Sequence, residues 1–130
     1  MAQGTWQFIS SFALDFPEYP LRIADDLESF YYVIVYNCMR YFNNNLDSVS
    51  FHMSSFFDSF SLRDGKYCCG HAKRSALRNG HIELDWRTSF AVYLKGGENP
   101  HRLDAIIKQL LSWFQARYLL VAEEIGRAHV

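Results

Sequence analysis

Residues 24–36 read ADDLESFYYVIVY, and no other stretch limits the available folds so strongly. The first half carries helix-start chemistry. Asp25 can cap, and Glu28 stands three residues later, where a carboxylate reaches back to the cap's own N–H. The second half is β-branched and aromatic, which suits a strand. Length decides between them. Leu27, Phe30, Tyr31, Ile34, Cys38, Tyr41 and Phe42 keep helical spacing, and Asn43-Asn44-Asn45 stops the run. A segment over about residues 25–42 is too long for an ordinary strand. Its other faces carry Tyr32, Val33, Val35 and Tyr36. A helix apolar nearly all round predicts a buried, central position.

The last third predicts a second helix, over about 100–122. Asn99-Pro100 supplies a cap followed by proline at the first helical position. Leu103, Ile106, Ile107, Leu110, Leu111, Phe114, Tyr118 and Val121 form its apolar stripe, and Lys108, Gln109, Ser112, Gln115 and Arg117 its polar cover. Between the two, Ser48 to Phe60 predicts a short helix and Asp64-Gly65 a turn. Lys66 to Arg78 predicts another helix, ended by Asn79-Gly80. Phe90 to Leu94 is open between helix and strand, and the first twenty residues, with Pro17 and Pro20, read as mostly irregular. The fold class is mainly α.

With 49% hydrophobic residues the chain can build a core. A formal net charge of -1 gives no general pull toward nucleic acid or an anionic membrane. The longest apolar run is too short to span a bilayer. Three cysteines, two of them adjacent, make no disulfide framework, and there is neither a signal-peptide pattern nor a glycosylation site. The expectation is an intracellular protein, cytoplasmic or nuclear.

No motif completes an active site. Cys68-Cys69-Gly70-His71 has no second ligand pair, so no metal is expected. His81-x-Glu83 shares one half of the zinc-deaminase signature without the Pro-Cys-x-x-Cys half. His71, Lys73, Arg74 and Arg78 read as a solvated basic helix face. Gly96-Gly97 is no phosphate cradle, because the lysine precedes the glycines. A Gly-x-Ser-x-Gly elbow and an Asp-Phe-Gly are both missing.

Two segments together carry a resemblance. Gly4-Thr5-Trp6-Gln7-Phe8-Ile9-Ser10, followed about fifteen residues later by Asp25-Asp26-Leu27-Glu28-Ser29-Phe30, resembles the C-lobe of the fungal-type protein kinase family. Phe56-Phe57-Asp58-Ser59, Gly70-His71-Ala72-Lys73-Arg74 and the final amphipathic helix are similar more loosely. The likeness runs from residue 4 to about 122, within a single partial C-lobe over 1–123. Glu124 to Val130 resembles the translation of a common sequencing adapter, and this tail is set aside as non-native.

The resemblance implies specific roles. The helix after Asp25 would be the buried central helix of the lobe. Asp26 with Ser29 would anchor the catalytic loop, Asp26 accepting from loop N–H groups. Thr5, Trp6 and Phe8 would line the peptide-substrate pocket. General kinases continue with Ala-Pro-Glu, whose glutamate pairs with a C-lobe arginine; Ser10-Ser11-Phe12 offers no acid, so that anchor is lost or replaced. The Gly-rich loop, strand lysine, catalytic-loop Asp and metal-binding Asp all precede this region in kinases. The expectation is therefore a C-terminal fragment, itself inactive and without catalytic residues or cofactor. Its parent would use ATP and magnesium to phosphorylate Ser/Thr of proteins. Its partners would be the remainder of the kinase domain and a protein substrate. Alternatives are a non-catalytic, pseudokinase-like scaffold and a small helical interaction module. The module would be monodisperse alone, whereas the fragment would expose apolar patches and aggregate.

Overall fold

The computed structural model describes residues 6–128 apart from Trp86. It is mainly α, as the periodicity requires, with two small antiparallel ribbons. The central helix, α2 (Ile23–Tyr41), is preceded by α1 (Ser11–Asp15) and by a 3-10 turn over Trp6–Phe8. Residues 6–20 are thus more regular than expected, because the Ser10 hydroxyl caps α1 by accepting the Ala13 N–H at 3.0 Å.

The start of α2 corrects the predicted capping register by three residues. Extended Arg22 is the cap residue, and Asp25 reaches back to accept its N–H at 2.9 Å. Asp25 takes the part assigned to Glu28, and Glu28 turns into the interior. The buried face also differs from the one expected. Tyr31, Tyr32, Val35, Cys38 and Met39 are buried, whereas Leu27, Phe30 and Tyr41 are 53%, 63% and 69% exposed. Both arcs are apolar, so periodicity could not choose between them. The arc that also bears Asp25 and Glu28 goes inward because neighbouring elements supply partners for both acids. This helix is central but covered on one side.

Asn44 ends α2 as its sequence suggests. Its amide donates to the carbonyls of Cys38, Met39 and Phe42, each at 3.0 Å, and β1 (Asn43–Asn44) follows. Helix α3 (Val49–Phe57) starts from Ser48. Lys66 to Arg78 is not one helix. Asp64 (φ 53°) and Gly65 (φ 79°) make a two-residue left-handed turn that sends the chain straight back, pairing β2 (Phe60–Arg63) with β3 (Lys66–Cys69). Only then does α4 (His71–Asn79) begin, closed by left-handed Gly80. Residues 90–94 resolve as extended: β4 (Val92–Tyr93) pairs with β1.

Helix α5 (Arg102–Ala128) begins two residues later than predicted and ends later too, continuing into the segment set aside as a tail. His101, not Asn99, caps it, its Nδ1 accepting the Leu103 N–H at 3.0 Å. Pro100 instead bridges to Tyr93. The core fills the space between α2, α3, α4 and α5 with Tyr31, Phe56, Phe57, Leu77, Leu111 and Phe114. Each such side chain contributes roughly 1.5–3 kcal/mol on burial.

Candidate functional site

The segment after the 3-10 turn is fastened to α2 through buried polar groups. The Glu28 carboxylate, 0% exposed, accepts the Ser11 backbone N–H at 2.7 Å, the Tyr32 hydroxyl at 2.6 Å and the Tyr118 hydroxyl at 2.6 Å. Tyr118 in turn accepts the Phe12 N–H at 2.9 Å. Next to it, Asp25 accepts the Ser10 hydroxyl at 2.7 Å and the Arg117 guanidinium at 3.0 Å, and the same guanidinium lies 3.7 Å from Glu28. Three elements meet in one network: Ser10 and Ser11 from the N-terminal segment, the acids from α2, and Arg117 and Tyr118 from α5.

Burial pushes the Glu28 carboxyl above the ordinary glutamate range, against the pull of its donors. Burial also raises Asp25, but the Arg22 N–H, the Ser10 hydroxyl and Arg117 together outweigh it, and the net shift is downward. One cation serves two acids whose proton affinities are driven apart.

A second set of contacts secures the other side of the same segment. Asp15 accepts the Cys69 N–H at 2.8 Å and pairs with Arg74 at 3.2 Å. Lys73 is 3% exposed; its ammonium donates to the Gln7 carbonyl and lies 4.3 Å from the centre of the Tyr32 ring. Burial brings the Lys73 amine down to about 8. The basic cluster on α4 is therefore solvated only in part: His71 and Arg78 are exposed, whereas Lys73 and Arg74 hold the N-terminal segment. Arg117 likewise leaves the polar cover of α5 for the interior.

The residues singled out by resemblance are placed as follows. Thr5 lies outside the described residues. Trp6 meets Phe60 edge-on at 6.1 Å and lines a groove of about 830 Å³ with Ile9, Leu14, Tyr67 and Cys68. Phe8 turns elsewhere, packing on Tyr36 at 5.5 Å and lining a different groove of about 1040 Å³ with Arg40, Met53 and Asp58. The two aromatics do not share one pocket. Asp26 is exposed on the outer side of α2 between Ile23 and Leu27, and Ser29 is half-buried. The structure does not bring Asp26 into the Asp25–Glu28 network.

Sequence reasoning missed the network. Its signal was weak but present: Glu28 and Tyr32 stand one helical turn apart, and Arg117-Tyr118 are adjacent in a helix otherwise read as apolar stripe and polar cover. Among the described residues, no helix is long and apolar enough to cross a membrane, and no group of three His, Cys, Asp or Glu side chains could hold a metal ion. Comparison with family models, with curated proteins and with solved structures finds no match to this chain.

Proposed function

We propose that this chain is the distal part of a fungal-type protein-kinase-like C-lobe, with α2 as the central helix on which the rest of the lobe is seated. The parent would transfer the γ-phosphoryl group of ATP to Ser/Thr hydroxyls of proteins. The sequence includes no Gly-rich cradle for ATP, and among the described residues no cluster of side chains fits magnesium. No catalytic step is assigned to them. The part this chain plays is positional.

The observation that carries the reading is the division of α2 into two faces. One face is fastened by the Asp25–Glu28 network, while the other presents Asp26 beside the exposed side chains of Ile23, Leu27 and Phe30. An acid on an uncovered apolar face is what the anchor of a catalytic loop requires, since the loop's N–H groups would bond Asp26 as its side chains cover the apolar residues. The acid missing after Ser11 is also accounted for. Glu28 and Asp25 supply it from the helix side, and Arg117 supplies the cation, so the segment that would form the substrate pocket has its tether with the partners exchanged.

The test is the genomic reading frame ahead of Met1, followed by assay of the longer product. In-frame Gly-rich loop, strand lysine, catalytic-loop Asp and metal-binding Asp are expected, with Ser/Thr phosphorylation that falls when Asp26→Ala is introduced. An in-frame stop directly ahead of Met1 would overturn the proposal. Loss of the two functional aspartates in an otherwise kinase-like frame would favour the scaffold. The closed core between α2 and α5 favours, as a second reading, the self-standing interaction module; a stop codon with cooperative melting would select it.

A further inference from the structure

The uncovered face of α2 has a second property that does not depend on the kinase reading. Ile23, Leu27, Phe30, Ile34 and Tyr41 follow one another along it at helical spacing. Along one edge of that face stand Asp26, Val33 and Arg40, all exposed and seven residues apart. The Arg40 guanidinium is held at this edge by the Tyr36 hydroxyl at 2.8 Å and lies over the Tyr41 ring at 5.7 Å. Among the described residues, no group bonds the Asp26 side chain.

Helix α5 widens the face on the opposite edge. It runs antiparallel to α2, since Arg117 meets Asp25 near the start of α2 and Phe114 meets Tyr31, at 5.5 Å, further along. Gln115 is turned toward α4, where it donates to the Arg78 carbonyl at 2.8 Å. Trp113, one residue before Phe114, is therefore on the Arg117 side, next to α2. With Ile106 and Leu120 it forms an exposed apolar line at seven-residue spacing.

We propose that two copies of this chain pair through this surface, α2 against α2 and antiparallel, about a two-fold axis near Val33. The charges select the partner and its direction. A two-fold axis brings the same edge of both helices together in opposite directions, so Asp26 of each copy meets Arg40 of the other. Parallel pairing about a two-fold would instead set this edge beside the opposite edge of the second α2, where α5 lies, and would leave Asp26 and Arg40 without partners across the contact. The antiparallel register also sets Phe30 near the second copy's Ile34 and Ile23 near its Tyr41. The two α5 helices then both lie along the edge away from the ion pairs. Affinity comes from the apolar residues; the two rim ion pairs set orientation, since exposed pairs are individually weak.

Sedimentation equilibrium on the purified chain at micromolar concentration tests this. A defined dimer is expected, and a monomer or an open-ended aggregate would overturn the proposal. Phe30→Glu should give a monomer with unchanged far-ultraviolet circular dichroism, because that side chain lies outside the core; a persisting dimer counts against the surface. Asp26→Arg and Arg40→Asp should each weaken the dimer by roughly tenfold, and the two together should restore it. A double variant no tighter than the singles would refute the antiparallel register. Open-ended aggregation, the outcome the fragment reading expects of the isolated chain, would overturn the pairing alone, whereas the reading frame ahead of Met1 decides the kinase reading, so the two fail separately.

Discussion

Two tyrosines of the same core should respond oppositely to loss of the same oxygen. Tyr118→Phe removes a hydroxyl that donates to Glu28 at 2.6 Å and accepts the Phe12 N–H at 2.9 Å. The ring stays, so packing changes little. A hydrogen bond to a charged group contributes about 1.5–3 kcal/mol, and stranding a buried N–H costs about 1–3 kcal/mol. The two losses share one atom and are not fully additive, which sets the expectation near 3 kcal/mol. Tyr31→Phe removes a hydroxyl that is fully buried but has no hydrogen-bond partner among the described residues. Its loss should be neutral or stabilising, within about 1 kcal/mol. Urea unfolding followed by circular dichroism at one fixed protein concentration measures both. With a slope of about 2 kcal/mol per molar, Tyr118→Phe lowers the midpoint by about 1.5 M and Tyr31→Phe leaves it in place or raises it. Equal shifts for the two variants, or a Tyr118→Phe loss under about 0.5 kcal/mol, would refute the network as drawn.

Other consequences follow from single sites. Asp25→Asn should cost about 3 kcal/mol at pH 7 by leaving Arg117 short of its partner, measured by thermal melting. Asp25 sits below its ordinary value of 3.8, so its contribution is present above that pH and lost as pH falls through the lowered folded value. The variant should therefore show a flatter acid limb. Glu28 has the opposite sign, its contribution fading as pH rises through its raised folded value. Lys73 loses its proton near 8 in the folded chain against 10.5 for the free side chain. Stability should thus rise by up to roughly 3 kcal/mol between those limits, and Lys73→Met should abolish the rise in a pH series of unfolding curves. Gly70→Ala should destabilise by several kcal/mol in the same assay, about 2–4, because the added methyl would stand 2.5 Å from the Ser59 carbonyl oxygen.

What was legible in the sequence was local chemistry. Asn44, Ser48, Asp64-Gly65 and Asn79-Gly80 punctuate the chain where they were expected to, because each acts through its own backbone or that of its neighbours, whereas Asn43 and Asn45 bond the distant 89–97 segment. Long-range partners were not legible. Whether Asp25 or Glu28 serves the helix end depends on Ser11 and Tyr118, which are 17 and 90 residues from Glu28. The burial of Lys73 depends on Gln7 and Tyr32, not on the pattern of α4. Lys66 to Cys69 became a strand because Asp64-Gly65 returned the chain onto Phe60 to Arg63 before a helix could start. The two arcs of α2 are alike in apolar content, so the choice of inner face had to come from the acids' partners.

The central claim is that residues 10–12 are locked onto α2 and α5 by side chains, with the Ser11 N–H held by Glu28 and the Phe12 N–H by Tyr118. Native-state hydrogen exchange at these two amides tests it most directly. Protection comparable to that of Tyr31 and Tyr32 in the middle of α2 is predicted. Exchange as fast as that of the exposed turn at Asp64-Gly65 would contradict it.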